Sequence, residues 1–280
     1  MGSTSSGVFC LTALGRILFL TIEKRFGPLN VNLDSLPEIP PSCWLAAEME
    51  QSPEILFFPS LGIQVNLADT ATWRPPPLPS VKTSAEERRI RIQALARELL
   101  RSGRETILLP ILKWLVDPAL RIGTPFISRF DWMEKCEELS QALQYNEPRR
   151  AVMALHSFLG MGTGLTPSGD DFIWGFLLAF SRWQSLLCPH FDLDKLGALL
   201  IALARRSTTL LSVSMVECAS LGWADAGILS VLDALFTGQM TIQQMADTLL
   251  DFGSTSGLDA FSGMATALQR CSYLDNDQTL

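Results

Sequence analysis

Up to about residue 73 the apolar positions either alternate with polar ones or gather in short runs, the two signatures of strands. Arg16–Ile22 is a β-branched and aromatic run. After the Gly27–Pro28 turn, Leu29, Val31 and Leu33 alternate with Asn30 and Asn32. Ile55–Phe58 is a second run, and Ile63, Val65 and Leu67 alternate again. Prolines at 37, 40, 41, 53 and 59 interrupt the intervals, so short strands and loops are expected, as in a small barrel or sandwich. The stiff segment Pro75-Pro76-Pro77-Leu78-Pro79 then reads as a linker.

Beyond it the period changes. Ser84 and Glu87 form a capping box, and Ile92, Leu95, Ala96 and Leu99 follow at helical spacing until Gly103. Thr241 with Gln244 opens another helix, with Ile242, Met245, Ala246 and Leu249 inward and Gly253 at its end. Helical periods also run through Glu147-Pro148, Leu193–Arg206, Leu210–Gly222 and Ala224–Thr237. The fold class expected is α+β: a β-rich domain over residues 1–80 that includes the linker, followed by a larger all-helical domain over 81–280. The polar tail Asp275–Leu280 reads as frayed.

Composition narrows the classes. Apolar residues make up 48% of the 280 and charged ones 18%, which supports a large buried core. The net charge of −7, with no Lys/Arg cluster, argues against a nucleic-acid surface. Six cysteines without C-x-x-C spacing and only two histidines argue against zinc and fit reduced thiols. No apolar run reaches the ~18 residues of a spanning helix, and no basic segment precedes an apolar one at the start. A soluble, cytoplasmic protein is expected.

The candidate chemistry lies in Gly160–Ala179, G-M-G-T-G-L-T-P-S-G-D-D-F-I-W-G-F-L-L-A. A glycine-rich loop leads to a helix start, which offers free N–H groups and a partial positive charge to an anion. Thr166 or Ser168 is expected as N-cap, with Pro167 at the first helical position. Gly162, Gly164 and Gly169 permit positive φ or close backbone approach. A shorter version follows at Ser256–Ala267, S-G-L-D-A-F-S-G-M-A-T-A, where Ser168, Gly169, Asp171, Gly175 and Ala179 find counterparts in Ser256, Gly257, Asp259, Gly263 and Ala267. Ser256 is expected as its cap.

Taken singly, each version is also what an ordinary capped helix with a small packing stripe looks like. Together they suggest two helix starts facing one pocket. Asp170 is left over by capping; such an aspartate can orient a substrate amide, face solvent, or hold a Mg²⁺ against a phosphate. No other cofactor is indicated. Arg206 and Thr209 can complete an anion pocket or merely end one helix and begin the next. His156 is either a general acid–base or a structural histidine. Neither a nucleophile elbow nor a G-x-x-x-x-G-K-[ST] loop is present.

The run G-x-G-x-G-L-T-P-S-G-D-D resembles the AllH-like family, whose members include a subunit of oxamate carbamoyltransferase from anaerobic allantoin breakdown. Weaker likenesses are G-P-L-x-V (Gly27–Val31), W-x-P (Trp73–Pro75), Thr209, Ser212, Ala219 and Gly222, and the element Ser254–Asp259. Thr163 stands where the family would have proline.

The resemblance implies phosphorolysis of oxalurate to oxamate and carbamoyl phosphate, or the reverse, within a complex of several subunits. The small anions oxamate, oxalurate, phosphate and carbamoyl phosphate would then be ligands. On that basis the Gly162–Gly169 loop and the residues Ser254, Thr255, Ser256 and Gly257 are expected to cradle phosphate and carboxylate. Asp170, Asp171 or Asp259 would orient amide N–H groups, with Arg206 and Thr209 beside them. A non-catalytic binding or scaffold subunit is the main alternative; a phosphate-dependent kinase-like enzyme and a purely structural helical module are weaker ones.

Overall fold

A computed structural model describes residues 3–4, 7–13, 15–37, 39–117 and 132–272. The tail expected to fray, 275–280, lies outside these residues. The chain divides into two compact units, Met1–Pro76 and Pro77–Leu280.

The first unit holds β1 (Ser3–Thr4), β2 (Gly7–Leu11), β3 (Ile17–Thr21), β4 (Asn30–Asn32), α1 (Pro41–Ala46), β5 (Glu50–Gln51), β6 (Ile55–Phe58) and β7 (Ile63–Asn66). They form two separate small sheets, ordered β1-β2-β3-β4 and β5-β6-β7. Pairing is antiparallel except between β3 and β4, where Leu20 stands beside Val31 in a parallel ladder. Val8, Cys10 and Leu20 from one sheet share a core with Leu56 and Phe58 from the other. The arrangement is therefore sandwich-like. Trp44 of α1 joins this core edge-on to Phe58, with ring centroids 5.4 Å apart. Cys10 and Cys43 of this unit are free thiols. Burial pushes the Cys10 thiol up to about 11, which keeps it protonated and inert.

The second unit is helical: α2 (Ala85–Arg101), α3 (Leu109–Val116), α4 (Trp132–Gln144), α5 (Pro148–His156), α6 (Ser168–Arg182), α7 (Gln184–Leu187), α8 (Leu193–Ser207), α9 (Leu210–Ser220), α10 (Ala226–Thr237), α11 (Ile242–Leu250) and α12 (Ser256–Ser272). Both capping boxes form: Ser84 with Glu87 opens α2, and Thr241 with Gln244 opens α11. Gly103 and Gly253 lie just past the ends of α2 and α11 with φ of 71° and 70°, left-handed conformations that glycine adopts without a Cβ penalty. None of the described helices is long and apolar enough to cross a membrane.

Helix α6 is buried on every side from Gly169 to Phe180, and α12 is buried from Gly257 to Leu268. Two helices buried all round belong at the centre of a bundle. They are each other's principal partner, with α9 against α6, and α2, α3, α4 and α11 against α12. What lets them approach is the repeated glycine. A Cβ on Gly175 would run into the Ala260 carbonyl oxygen, and one on Gly263 would run into the Phe172 carbonyl oxygen. Phe172 and Ala260 hold equivalent places in the two helix starts, so each helix offers its glycine to the same point on the other. The small stripe expected from sequence is thus the place where the two repeats meet.

Replacing Gly263 by alanine should destabilise the protein by about 3 kcal/mol or more, because backbone rather than a movable side chain stands in the way. Calorimetric melting checks this; an unchanged melting temperature would contradict the close crossing.

Candidate functional site

The crossing brings the two helix starts side by side. The Thr166 hydroxyl, just ahead of α6, lies 3.2 Å from the Ser256 hydroxyl at the first position of α12. Behind these hydroxyls are two aspartates, Asp171 and Asp259, only 1% and 0% exposed. They are the equivalent residues of the two repeats.

The bracing is reciprocal. Asp171 of α6 accepts the Thr166 hydroxyl at 3.1 Å and is faced by the Ser256 hydroxyl of α12. Asp259 of α12 accepts the Thr106 hydroxyl and is faced by Ser168 of α6 and by Thr255. One oxygen of each carboxyl, Asp171 Oδ1 and Asp259 Oδ2, is buried with no hydrogen-bond partner.

Burial pushes the Asp171 carboxyl well above the ordinary aspartate range. The Ser256 and Thr166 hydroxyls oppose that shift, while the charges of Asp259 and then Asp170 add to it. Burial likewise raises Asp259, against the pull of Thr106, Ser168 and Thr255. Burial of both acids, with the charge of Asp259 acting on Asp171, favours a proton on Asp171.

The helix starts differ from expectation at the caps. Pro167 is the N-cap of α6, without a side-chain cap, and Ser168 is the first helical residue. Ser256 likewise begins α12 rather than preceding it. The hydroxyls of Thr166, Ser168 and Ser256 are therefore released from capping and turned to the carboxyls.

The amides expected to be free for an anion are largely taken. Gly169 N–H donates to the Met161 carbonyl at 2.8 Å and Gly257 N–H to the Phe252 carbonyl at 3.0 Å. Asp171 N–H donates to Pro167 at 3.1 Å and Asp259 N–H to Thr255 at 3.0 Å. Gly169 and Gly257 are glycines because a Cβ would strike the carbonyls of Phe158 and Leu249, so their close approach is to backbone and not to a ligand. Gly162 and Gly164 differ: they sit in the exposed loop with φ of 113° and 105°, where a side chain would be strained.

Asp170 has a structural explanation. Its Oδ1 accepts the Gly160 N–H at 2.8 Å and its Oδ2 accepts the Thr208 hydroxyl, tying the glycine loop to the end of α8. Thr209 caps α9 through Ser212 N–H at 3.1 Å and donates to the Leu165 carbonyl at 2.7 Å, so it braces the same loop. Arg206 and His156 are exposed on the last turns of α8 and α5. Ser254 is exposed, and its carbonyl accepts from Arg104 at 3.0 Å. Among the described residues no group of three or more His, Cys, Asp or Glu could hold a metal ion.

Thr106 and Arg104 were not legible in sequence. Both lie in the α2–α3 connection, far along the chain from the motifs they serve. Arg104 joins the turn before α12 by donating to the carbonyls of Leu250 at 2.6 Å and Gly253 at 3.0 Å as well.

Residues 158–268, which carry both helix starts, match the family model described as oxamate carbamoyltransferase subunit AllH. No curated protein and no solved structure matches the chain.

The raised acids make a pH prediction. A folded acid with a raised pKa binds more protons than the unfolded chain from about pH 4 up to its folded value. Its contribution to stability is thus greatest below that window, falls as pH rises through it, and is a constant penalty above it. Asp259→Asn removes the penalty, so its melting temperature should exceed that of the unaltered protein at pH 7.5, with the gain shrinking towards pH 4.5. A difference that does not vary with pH would contradict the raised acidity.

Proposed function

We propose that this AllH-like chain is the carbamoyl-handling subunit of an oxamate carbamoyltransferase-type complex, acting in the phosphorolysis of oxalurate. The observation that carries this reading is the meeting of Asp171 and Asp259 behind a set of partly exposed hydroxyls, inside the stretch that matches the family.

In the reaction an oxygen of hydrogen phosphate attacks the carbamoyl carbon of oxalurate. The bond from that carbon to the oxamate nitrogen breaks. Carbamoyl phosphate forms, and the nitrogen leaves as the amide of oxamate once it gains a proton. That proton comes, in balance, from the phosphate. A pair of coupled acids that holds one proton can deliver it to the departing nitrogen and be refilled from the phosphate. Phosphate would sit on the exposed backbone of the Gly162–Gly164 loop, where alternate glycines leave N–H groups open to an anion. Asp170 and Thr209 would position that loop from behind. Ser254 and Thr255, in the turn before α12, would lie at the edge of the centre.

A second reading is favoured by the near-complete burial of the two carboxyls. The chain would then bind the carbamoyl compound while a partner subunit provides the attacking groups. The two readings divide on one experiment. Carbamoyl phosphate formation from oxalurate and phosphate is followed with the purified chain, with its partner subunits, and with the mixture. The expected result is activity in the mixture that falls by roughly 100-fold or more in Asp171→Asn with assembly intact, the scale of a lost acid–base group. Full activity of an assembled Asp171→Asn complex would assign the chemistry to a partner.

A further inference from the structure

The hydroxyls and carboxyls at the two helix starts do not balance as hydrogen-bonding groups. Each hydroxyl has one hydrogen to give and two lone pairs to fill. The Thr166 hydrogen goes to Asp171 and the Thr106 hydrogen to Asp259. Ser256 has a single hydrogen to share between Thr166 and Asp171. Ser168 and Thr255 turn to Asp259. After these are spent, Asp171 Oδ1 and Asp259 Oδ2 are still without a partner.

The main-chain donors that could fill the gap are engaged, since the Gly169, Asp171, Gly257 and Asp259 N–H groups all donate to carbonyls. Two carboxyl oxygens are thus left open as acceptors even though five hydroxyls are turned to the pair. An oxyanion would add acceptors to it, whereas a group with N–H hydrogens would complete it.

A second constraint comes from the acids themselves. Both carboxyls are buried at helix starts whose hydroxyls touch, and the charge of Asp259 adds to the burial that keeps a proton on Asp171. The centre then offers one acceptor oxygen and one O–H, which is the complement of an amide edge, with its N–H and its carbonyl oxygen side by side.

Resting on the carbamoyltransferase reading, we propose that Asp171 Oδ1 and Asp259 Oδ2 together grip the edge of an unsubstituted amide. One accepts its N–H, and the other donates its hydrogen to the carbonyl oxygen. The grip selects a primary amide or carbamoyl group against a carboxylate of the same shape. It also selects against an amide whose nitrogen carries a methyl in place of the gripped hydrogen, so of oxalurate it takes the terminal carbamoyl group, whose nitrogen is unsubstituted. Thr166, Ser168 and Ser256, whose hydroxyls face the two carboxyls, are themselves partly exposed.

The test is calorimetric titration of the full chain, and of the assembled complex, with oxamate, oxalate and N-methyloxamate near pH 7. Oxamate should bind at least ~10-fold more tightly than either analogue, because a lost N–H leaves a buried acceptor unpaired. Asp259→Leu, which keeps the shape and removes the acid, should abolish the preference while melting at or above the temperature of the unaltered chain. Ser256→Ala, which is milder, should weaken oxamate a few-fold and keep the preference.

Equal affinity for oxamate and oxalate overturns the proposal, as does failure of oxamate to bind both chain and complex. A Mg²⁺-induced rise in melting temperature that depends on Asp259, without discrimination among the three ligands, overturns it in favour of a cation. In each of those cases a complex that still phosphorolyses oxalurate leaves the carbamoyltransferase reading standing, so the two failures are separable.

Discussion

The close crossing of α6 and α12 is the constraint on which the rest of the helical unit depends. Two central helices can come within backbone contact only where side chains are missing, and Gly175 and Gly263 are missing them at matching points. The contact fixes the helices against each other just beyond their first turns. It therefore also fixes the first turns, and with them Asp171, Asp259 and the hydroxyls of Ser168 and Ser256. Apolar burial drives the assembly, at about 1.5–3 kcal/mol for each fully buried large side chain. The glycines decide its geometry.

Out of that geometry comes a polar centre which the core would be more stable without. Two aspartates at 1% and 0% exposure, each with an oxygen lacking a partner, cost free energy that surrounding hydroxyls only partly offset. Apolar residues of the same size would fill those places without loss. Buried acids kept at such a disadvantage are the sort of feature that binding or proton transfer requires. The glycine loop has a similar character: Gly162 and Gly164 hold backbone conformations that other residues resist. Asp170 and Thr209 stabilise the loop by hydrogen bonds instead of by packing.

Much of this was legible in the sequence. The duplicated S-G-x-D-x-x-x-G-x-x-x-A pattern pointed to two related helix starts, and they do come together. Capping chemistry placed α2 and α11, alternation placed β4 and β7, and apolar runs placed β3 and β6. The shift from period 2 to period 3.6 gave the α+β class. Other features were hidden. The short helix α1 stands within a β-rich region because Pro40 and Pro41 suit a helix start as readily as a turn. Helix α3 lacks a polar cap, so nothing in its flanks announces it.

The role of the helix starts was the part most misread. Local sequence says that a Ser before acidic residues caps a helix, and that a glycine loop leaves amides open. Tertiary structure redirected both. Pro167 took the cap position, carbonyls from Phe252 and Met161 took the amides, and the hydroxyls were left to face carboxyls across the crossing. Thr106 completes the set from another part of the chain, a pairing that only the folded structure reveals.

The central claim is that two look-alike helix starts build one acidic centre, with two carboxyl oxygens left open, that takes an amide. A crystal structure of the chain soaked in oxamate tests it most directly. The account predicts the amide nitrogen of oxamate within hydrogen-bonding distance of Asp171 Oδ1 or Asp259 Oδ2, with its carbonyl oxygen turned to the other. Oxamate held elsewhere, with those two oxygens capped by water or a metal ion, would contradict it.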